Sequence, residues 1–300
     1  MSTANTTASN TATGKNKLKV LVTGARGLVG RAVSQHCRTS GDVVLSYEHK
    51  DLDITDRALI QETVLAHRPD IVINCAAWTN VDACESDPDR AFAVNAVGPQ
   101  NLALACKELE CIFITISTDY VFDGNKPGFY TQLDTPNPES VYAASKLEGE
   151  RLSALAYERS IIVRTGYVFG YGGTNFLSTV VDRARKGENL KAISDTYGTP
   201  TYADDLAERL RQLSVAGVAG IYHVVNSGPG VSFEQFTRKV LELIGNPDAL
   251  VEPVASAALN RPARRPQNSR MRCLLTPTIG LPPLRDWESA LQEFTKGHLC

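Results

Sequence analysis

The stretch from residue 19 to residue 38 constrains the fold most tightly. A short apolar run, Lys19 to Thr23, breaks into Thr23-Gly24-Ala25-Arg26-Gly27-Leu28-Val29-Gly30 and resumes as a helical pattern near Leu28 to Arg38. Unbroken Val/Leu character over a short run predicts a strand buried on both faces. The glycines predict a tight turn whose backbone can approach a pyrophosphate, and the amino end of the helix supplies free N–H groups and a positive dipole end. This strand–turn–helix order predicts a dinucleotide cradle built from Gly24, Arg26, Gly27, Leu28, Val29 and Gly30.

The alternation continues. Asp42 to Tyr47, Asp70 to Cys75, Cys111 to Ser117, Ser160 to Thr165 and Ile221 to Val225 read as strands, and Asp56 to His67, Asp89 to Leu109 and Ser140 to Tyr157 as helices. A loop containing Pro and Gly runs from Asp123 to Pro138. Apolar strands separated by helices predict an α/β fold, a Rossmann-type doubly wound parallel sheet. After Thr165 the pattern turns irregular, with a Gly-rich turn at Gly170 to Thr174 and helices at Asn175 to Lys186, Asp204 to Leu213, Phe233 to Ile244 and Trp287 to Thr295. This predicts a smaller C-terminal substrate-binding lobe. The expected division is a disordered tail at 1–16, a nucleotide-binding part at 17–165 plus about 190–230, and a substrate lobe at 166–189 and about 231–300.

Charge and cysteine usage narrow the class. With a net charge of −2 over 300 residues, no global field draws the chain to nucleic acid or an anionic membrane. A local basic run, Arg264, Arg265, Arg270 and Arg272, is either a solvated loop or an anion-contacting one. No stretch approaches the roughly 18 apolar residues of a membrane span. Residues 1–16 are mostly Ser, Thr, Ala, Asn and Gly without an apolar segment, which does not fit a secretory signal. The seven cysteines are odd in number and contain no CxxC pair, so reduced thiols and a cytoplasmic location are expected.

Glu48 ends the second strand, where an acidic residue can hold a ribose 2′-hydroxyl and favour NADH. Arg26 and Lys50 could instead hold a 2′-phosphate and favour NADPH. NADPH is the expected cofactor, with NADH accommodated. Asp53 and Ile54 are placed at the adenine end, and Ala76, Ala77, Trp78 and Thr79 follow the third strand into the same edge.

Tyr142 and Lys146 stand four apart in a helical segment and so share one face. A free phenol, with a pKa of roughly 10, exchanges its proton poorly near neutrality. A nearby ammonium and an oxidised nicotinamide would both favour the phenolate. Tyr142 is therefore expected to protonate a carbonyl oxygen during hydride transfer. Thr118, one βα unit earlier, can hydrogen-bond the same oxygen. Segments 23–30, 48, 76–79 and 118–120 all fall at the carboxyl ends of strands, where ligands bind in open parallel sheets.

Together these residues resemble the extended short-chain dehydrogenase/reductases and, within them, the dTDP-4-dehydrorhamnose reductase family, over nearly all of residues 17–297. The carrying segments are LDITD (52–56), INCAAWTNVDACE (73–85), STDYVFDG (117–124), VYAASKLEGE (141–150), RTGYVFGYGGTNF (164–176), DTYGTPT (195–201) and RPARRPQNSR (261–270). The resemblance implies reduction of the C4 keto group of dTDP-4-dehydro-β-L-rhamnose by NAD(P)H. It implies Tyr142 as proton donor, Lys146 orienting it and binding the nicotinamide ribose, and Thr118 tuning it. Thr118, Asp119, Tyr120, Tyr142 and Tyr167 would meet the nucleotide-sugar substrate. Some members carry Mg²⁺ at a dimer contact and many are homodimers. Asp204 could be one metal ligand, but no full carboxylate set accompanies it, and no metal site is assigned.

The chain departs from the family pattern at Ala143, where Gly is usual, at Cys75, where Ala is common, and at Tyr167, where many members carry Trp. Tyr120 replaces the Glu that related 4,6-dehydratases use, which argues against dehydration. Two alternatives stay open: a reductase of a different nucleotide-4-ketohexose, and a non-catalytic NADP-binding regulatory subunit resembling that of methionine adenosyltransferase.

Overall fold

Six strands line up in parallel, with the first strand at the centre of the connectivity. The computed structural model describes residues 17–172 and 176–299. The expected tail at 1–16 and part of the Gly-rich turn at 170–174 lie outside the described residues. The elements are β1 (Lys19–Thr23), α1 (Leu28–Thr39), β2 (Val43–Tyr47), α2 (Arg57–His67), β3 (Ile71–Asn74), α3 (Val81–Ser86), α4 (Pro88–Phe92), α5 (Gly98–Leu109), β4 (Ile112–Thr118), α6 (Val141–Ala156) and β5 (Ile161–Thr165). They continue through β6 (Val168–Phe169), α7 (Phe176–Arg185), β7 (Leu190–Ile193), β8 (Tyr197–Gly198), β9 (Thr201–Tyr202), α8 (Ala203–Ala216), β10 (Gly220–His223), β11 (Val231–Ser232), α9 (Phe233–Leu243), β12 (Val251–Val254) and α10 (Trp287–Leu299).

The main sheet has the order β10-β5-β4-β3-β1-β2. The chain leaves β1 for β2 on one side and returns for β3 on the other, so a crevice opens at the carboxyl ends of β1 and β3. Register brings these ends level: Thr23 pairs with Tyr47 and Asn74, Asn74 with Thr115, and Thr118 with Thr165. A buried polar chain marks this edge. Thr23 Oγ1 donates to Asn74 Oδ1 at 2.6 Å, and Asn74 Nδ2 donates to Thr115 Oγ1 at 3.0 Å. Val20, Leu21 and Val22 are fully buried, as a strand covered by helices on both faces must be.

Helix ends follow local chemistry. Asp56 accepts from Leu59 N at the start of α2, and Ser140 accepts from Ala143 N at the start of α6. The expected single helix over Asp89 to Leu109 is instead α4, a π-helical turn (Ala93–Val97) and α5, with α3 ahead of them. The reason is tertiary. Gly149 of α6 crosses the π turn so closely that a Cβ there would lie 2.1 Å from Asn95 O. The widened turn also aims Asn95 inward, where it is fully buried.

A second core lies beyond β5. Phe169, Leu177, Tyr202, Phe236, Trp287 and Phe294 are buried together, drawing on α7, α9 and α10. Short ladders frame it: β7 with β12, β8 with β11, and β6 with β9. Leu190 and Ala192, placed by the sequence reading in the nucleotide-binding part, pack in this second core. The α8 segment packs with the main sheet through Leu206, Ala207, Leu210 and Leu213. No described helix is long and apolar enough to cross a membrane.

Candidate active site

The crevice at the sheet's carboxyl edge widens into a cleft of about 1380 Å³ between the two cores. Its floor begins at the Gly-rich turn. Gly24 adopts φ +62°, and a Cβ there would lie 2.6 Å from Ala76 N. A Cβ on Gly30 would lie 2.3 Å from Gly24 O. Both positions therefore exclude side chains and keep the turn pressed against the strand ends. The first turn of α1 has neither a side-chain cap nor an acidic residue, so its N–H groups stay open to an anion. Gly27, Leu28, Val29 and Gly30 line the cleft there.

Four more of the expected segments converge on this space. Ala76, Ala77 and Thr79 line it after β3, Thr118, Asp119 and Tyr120 after β4, Tyr142 and Lys146 from α6, and Tyr167 after β5. Six expected residues lie outside its lining: Gly24 and Arg26 in the turn, Glu48 beyond β2, and Trp78, Asp53 and Ile54. Trp78 lies outside the lining residues, with Arg90 stacked 4.6 Å from its ring centre. Asp53 accepts from Thr55 N and Oγ1, and Ile54 is buried in the core against Gly98.

Glu48 stands at the far end, beyond β2, with Arg26 at 3.8 Å and Lys50 at 3.9 Å, so one carboxylate holds both cations that could meet a 2′-phosphate.

The centre of the site is built on Thr118. Its Oγ1 accepts from Tyr120 N at 3.2 Å and donates to Asp119 Oδ1 at 3.1 Å, and its hydroxyl bears on the titration of the Tyr142 phenol. Tyr120 meets the Tyr142 ring edge-on at 6.2 Å. Burial pushes the Tyr142 phenol well above its ordinary pKa, the Thr118 hydroxyl pulls it back, and Asp119, Tyr120 and Cys84 push it further up. Lys146 Nζ donates to Ile116 O at 2.7 Å. Burial lowers Lys146 to about 8, against the opposing effect of Glu150 and Cys75. Burial raises Asp119 to about 6, while the hydroxyls of Ser269 and Thr118 oppose the rise. Gly166 makes room for that carboxyl, since a Cβ there would lie 2.2 Å from Asp119 Cγ. Cys75 is raised to about 12, first by burial, and is a packed thiol at the cleft wall.

Several residues that hold the site escaped the sequence reading. Asn95 accepts from Trp78 N at 2.8 Å, donates to Trp78 O at 3.1 Å, and donates to Ser145 Oγ at 3.1 Å. It thereby ties the loop after β3 to the turn of α6 between Tyr142 and Lys146. A lone Asn inside the apolar run AFAVNAVG was the available signal. Behind Lys146, Glu150 accepts from Arg164 at 2.6 and 2.9 Å and from Ser117 Oγ at 2.5 Å, with both charged side chains 4% exposed. Across the cleft, Asp82 of α3 receives Arg265 at 2.8 and 3.0 Å and Ala263 N at 3.1 Å. Arg264 reaches Glu139 at 3.8 Å. Part of the basic run is thus a strap over the cleft, while Arg270 and Arg272 lie over Phe129.

Among the described residues no group of three or more His, Cys, Asp or Glu could hold a metal, and Asp204 accepts from Tyr202 OH at 2.8 Å.

Residues 18–299 match the model of a family described as the RmlD substrate binding domain. The dTDP-4-dehydrorhamnose reductase of Streptomyces griseus is 39% identical over 279 residues, 91% of each chain. A Streptomyces antibioticus protein named "Probable dTDP-4,6-dihydroxy-2-methyloxan-3-one 4-ketoreductase" is 34% identical over 278 residues, 92% of this chain and 94% of that one. The crystal structure of the Bacillus anthracis dTDP-4-dehydrorhamnose reductase in complex with NADP superposes with a TM-score of 0.90 at 32% identity, covering 94% of this chain and 99% of that one.

Proposed function

The chain belongs to the RmlD substrate binding domain family, and from that premise we propose that it reduces the C4 keto group of dTDP-4-dehydro-β-L-rhamnose to dTDP-L-rhamnose with NADPH. The observation that carries this reading is the meeting of Thr118 and the buried Tyr142 in a cleft that also receives the Gly-rich turn. Relatives of that name at 39% and 32% identity support the same substrate.

The residues present fit a dinucleotide. The positions where a Cβ would collide, Gly24 and Gly30, and the uncapped first turn of α1 suit a pyrophosphate. Gly27, Leu28 and Val29 would hold it there, with Ala76, Ala77 and Thr79 toward the nicotinamide and Lys146 at its ribose. The reduced nicotinamide, when bound, supplies the hydride. Tyr142 donates its proton to the C4 oxygen, and Thr118, turning its hydroxyl from Asp119, holds that oxygen by a hydrogen bond. Lys146 spends one of its three N–H donors on Ile116 O, which fixes its head group and leaves two for ribose hydroxyls. The buried walls keep water from competing for the proton.

The direct test follows NAD(P)H oxidation with the 4-ketosugar, and identifies the product by mass and chromatography. Formation of dTDP-L-rhamnose is expected. Measurable NADPH binding with no reduction of this sugar would overturn the assignment.

Cofactor choice turns on Glu48. In Glu48→Ala, Arg26 and Lys50 lose their shared carboxylate and become free to meet a 2′-phosphate, while a ribose 2′-hydroxyl loses its acceptor. Exposed ion pairs are worth up to about 1 kcal/mol, so the ratio of NADPH to NADH affinity should rise by about fivefold. Fluorescence titration of both cofactors measures it. Equal changes for the two would refute this role for Glu48.

A further inference from the structure

Tyr142, Lys146 and Glu150 stand four residues apart along α6 and so form one stripe down the helix. Tyr142 lines the cleft together with Thr118, and the other two side chains grip the strand that carries Thr118. Lys146 Nζ donates to Ile116 O at 2.7 Å, and Glu150 Oε1 accepts from Ser117 Oγ at 2.5 Å. Residues 116 and 117 are thus tied to α6 in succession, immediately before Thr118. Glu150 reaches the next strand as well. Arg164 of β5 is the register partner of Ser117, and its guanidinium donates to both Glu150 oxygens. One buried carboxylate therefore holds two strands, one rung short of Thr118 and Thr165.

Stability does not account for this arrangement. A buried ion pair repays its desolvation cost poorly, and apolar side chains of similar size often hold a core as well. What the pair adds is direction. The start of α6 is fixed along its axis, since Ser140 caps it and Glu85 Oε1 accepts from Val141 N at 2.8 Å. Backbone N–H groups point along the axis, so neither contact sets the roll of the helix about it. On the neighbouring stripe, Ser145 and Gly149 meet Asn95 of the π turn. The bonds of Lys146 and Glu150 supply the hold on the sheet side.

We propose that Glu150 is a positioning residue for proton delivery: its grip on Ser117 and Arg164 fixes the roll of α6 against β4 and so sets where the Tyr142 phenol stands relative to Thr118. This deepens the reductase reading and rests on Tyr142 as its donor. Glu150 lies outside the cleft lining and acts through the strand and the helix. A displacement on the order of 1 Å at the reacting atoms costs about 100-fold in rate, so a small roll of α6 is enough to slow the reaction.

Two variants separate placement from folding. Ser117→Ala frees β4 and leaves the ion pair whole. Glu150→Leu with Arg164→Met removes the grip on both strands and leaves neither charge of the pair behind. In stopped-flow single turnovers with NADPH and the 4-ketosugar, hydride transfer should slow by about tenfold in the first and about 100-fold in the second. The sugar concentration at half-maximal rate and the Kd for NADPH should stay within about threefold of wild type, the signature of an effect confined to the transition state. Amide hydrogen exchange in the cofactor-free protein gives a readout that needs no substrate. Amides of residues 142–150 should exchange about tenfold faster in the double variant, while those of β1 keep their protection. Wild-type rates in both variants overturn the proposal, and so does a rate loss carried by sugar or cofactor affinity. Unchanged exchange along 142–150 overturns it as well. If the wild-type protein binds NADPH and leaves this ketosugar unreduced, the substrate assignment falls, and the exchange comparison decides the grip of Glu150 by itself.

Discussion

Tyr142→Phe should lower kcat by about a hundred- to ten-thousand-fold, the usual contribution of a positioned general acid, while leaving NADPH binding and the fold intact. The phenol is buried at the cleft wall, which Thr118 also lines. Phenylalanine keeps the edge-on ring contact with Tyr120 and the packing against Cys84 and Ala91. Thr118 stays placed by the bond from Tyr120 N, and its hydroxyl can turn from Asp119 to the carbonyl, so the carbonyl would still be held but no proton would arrive. Stopped-flow turnover, paired with a cofactor titration, separates the two effects. A kcat near wild type would remove Tyr142 as the donor.

Arg164→Met should destabilise the protein by about 3–5 kcal/mol, the cost of leaving a buried carboxylate without its cation. Glu150 and Arg164 are each 4% exposed, and the guanidinium also lies over the Phe122 ring at 5.2 Å. At roughly 2–4 °C per kcal/mol for a chain of this size, the melting midpoint should fall by about 10 °C. Replacing both charges, as in Glu150→Leu with Arg164→Met, should recover most of that loss, because the desolvation cost disappears with the pair. A double variant as unstable as the single one would show that packing, not the unpaired charge, sets the effect. Activity is a separate matter, since Glu150 also opposes the lowering of Lys146.

The legible parts of the site were those encoded by short-range periodicity. Ser140 caps α6, and a helical repeat of 3.6 residues then places Tyr142 and Lys146 on one face, two facts readable over seven residues. Residues 89–109 were not legible in the same way. Their pattern fits one helix, and only the approach of Gly149 explains why a π turn forms and aims Asn95 at Trp78 and Ser145. Asp53, Ile54 and Trp78 follow strand ends like the other candidates, yet a turn onto Thr55, a core contact with Gly98 and a stack with Arg90 take up their side chains. Strand register could not be read from one chain either, and register is what sets Thr165 beside Thr118.

By itself, then, the sequence determined the alternation of strands and helices, the glycine turn and the catalytic helix, because each depends on residues a few positions apart. The tertiary structure alone decided the burial of Tyr142, the partner of Lys146, the Glu150–Arg164 pair and the place of Asn95. Those depend on burial and on contacts between segments dozens of residues apart, and local spacing carries neither.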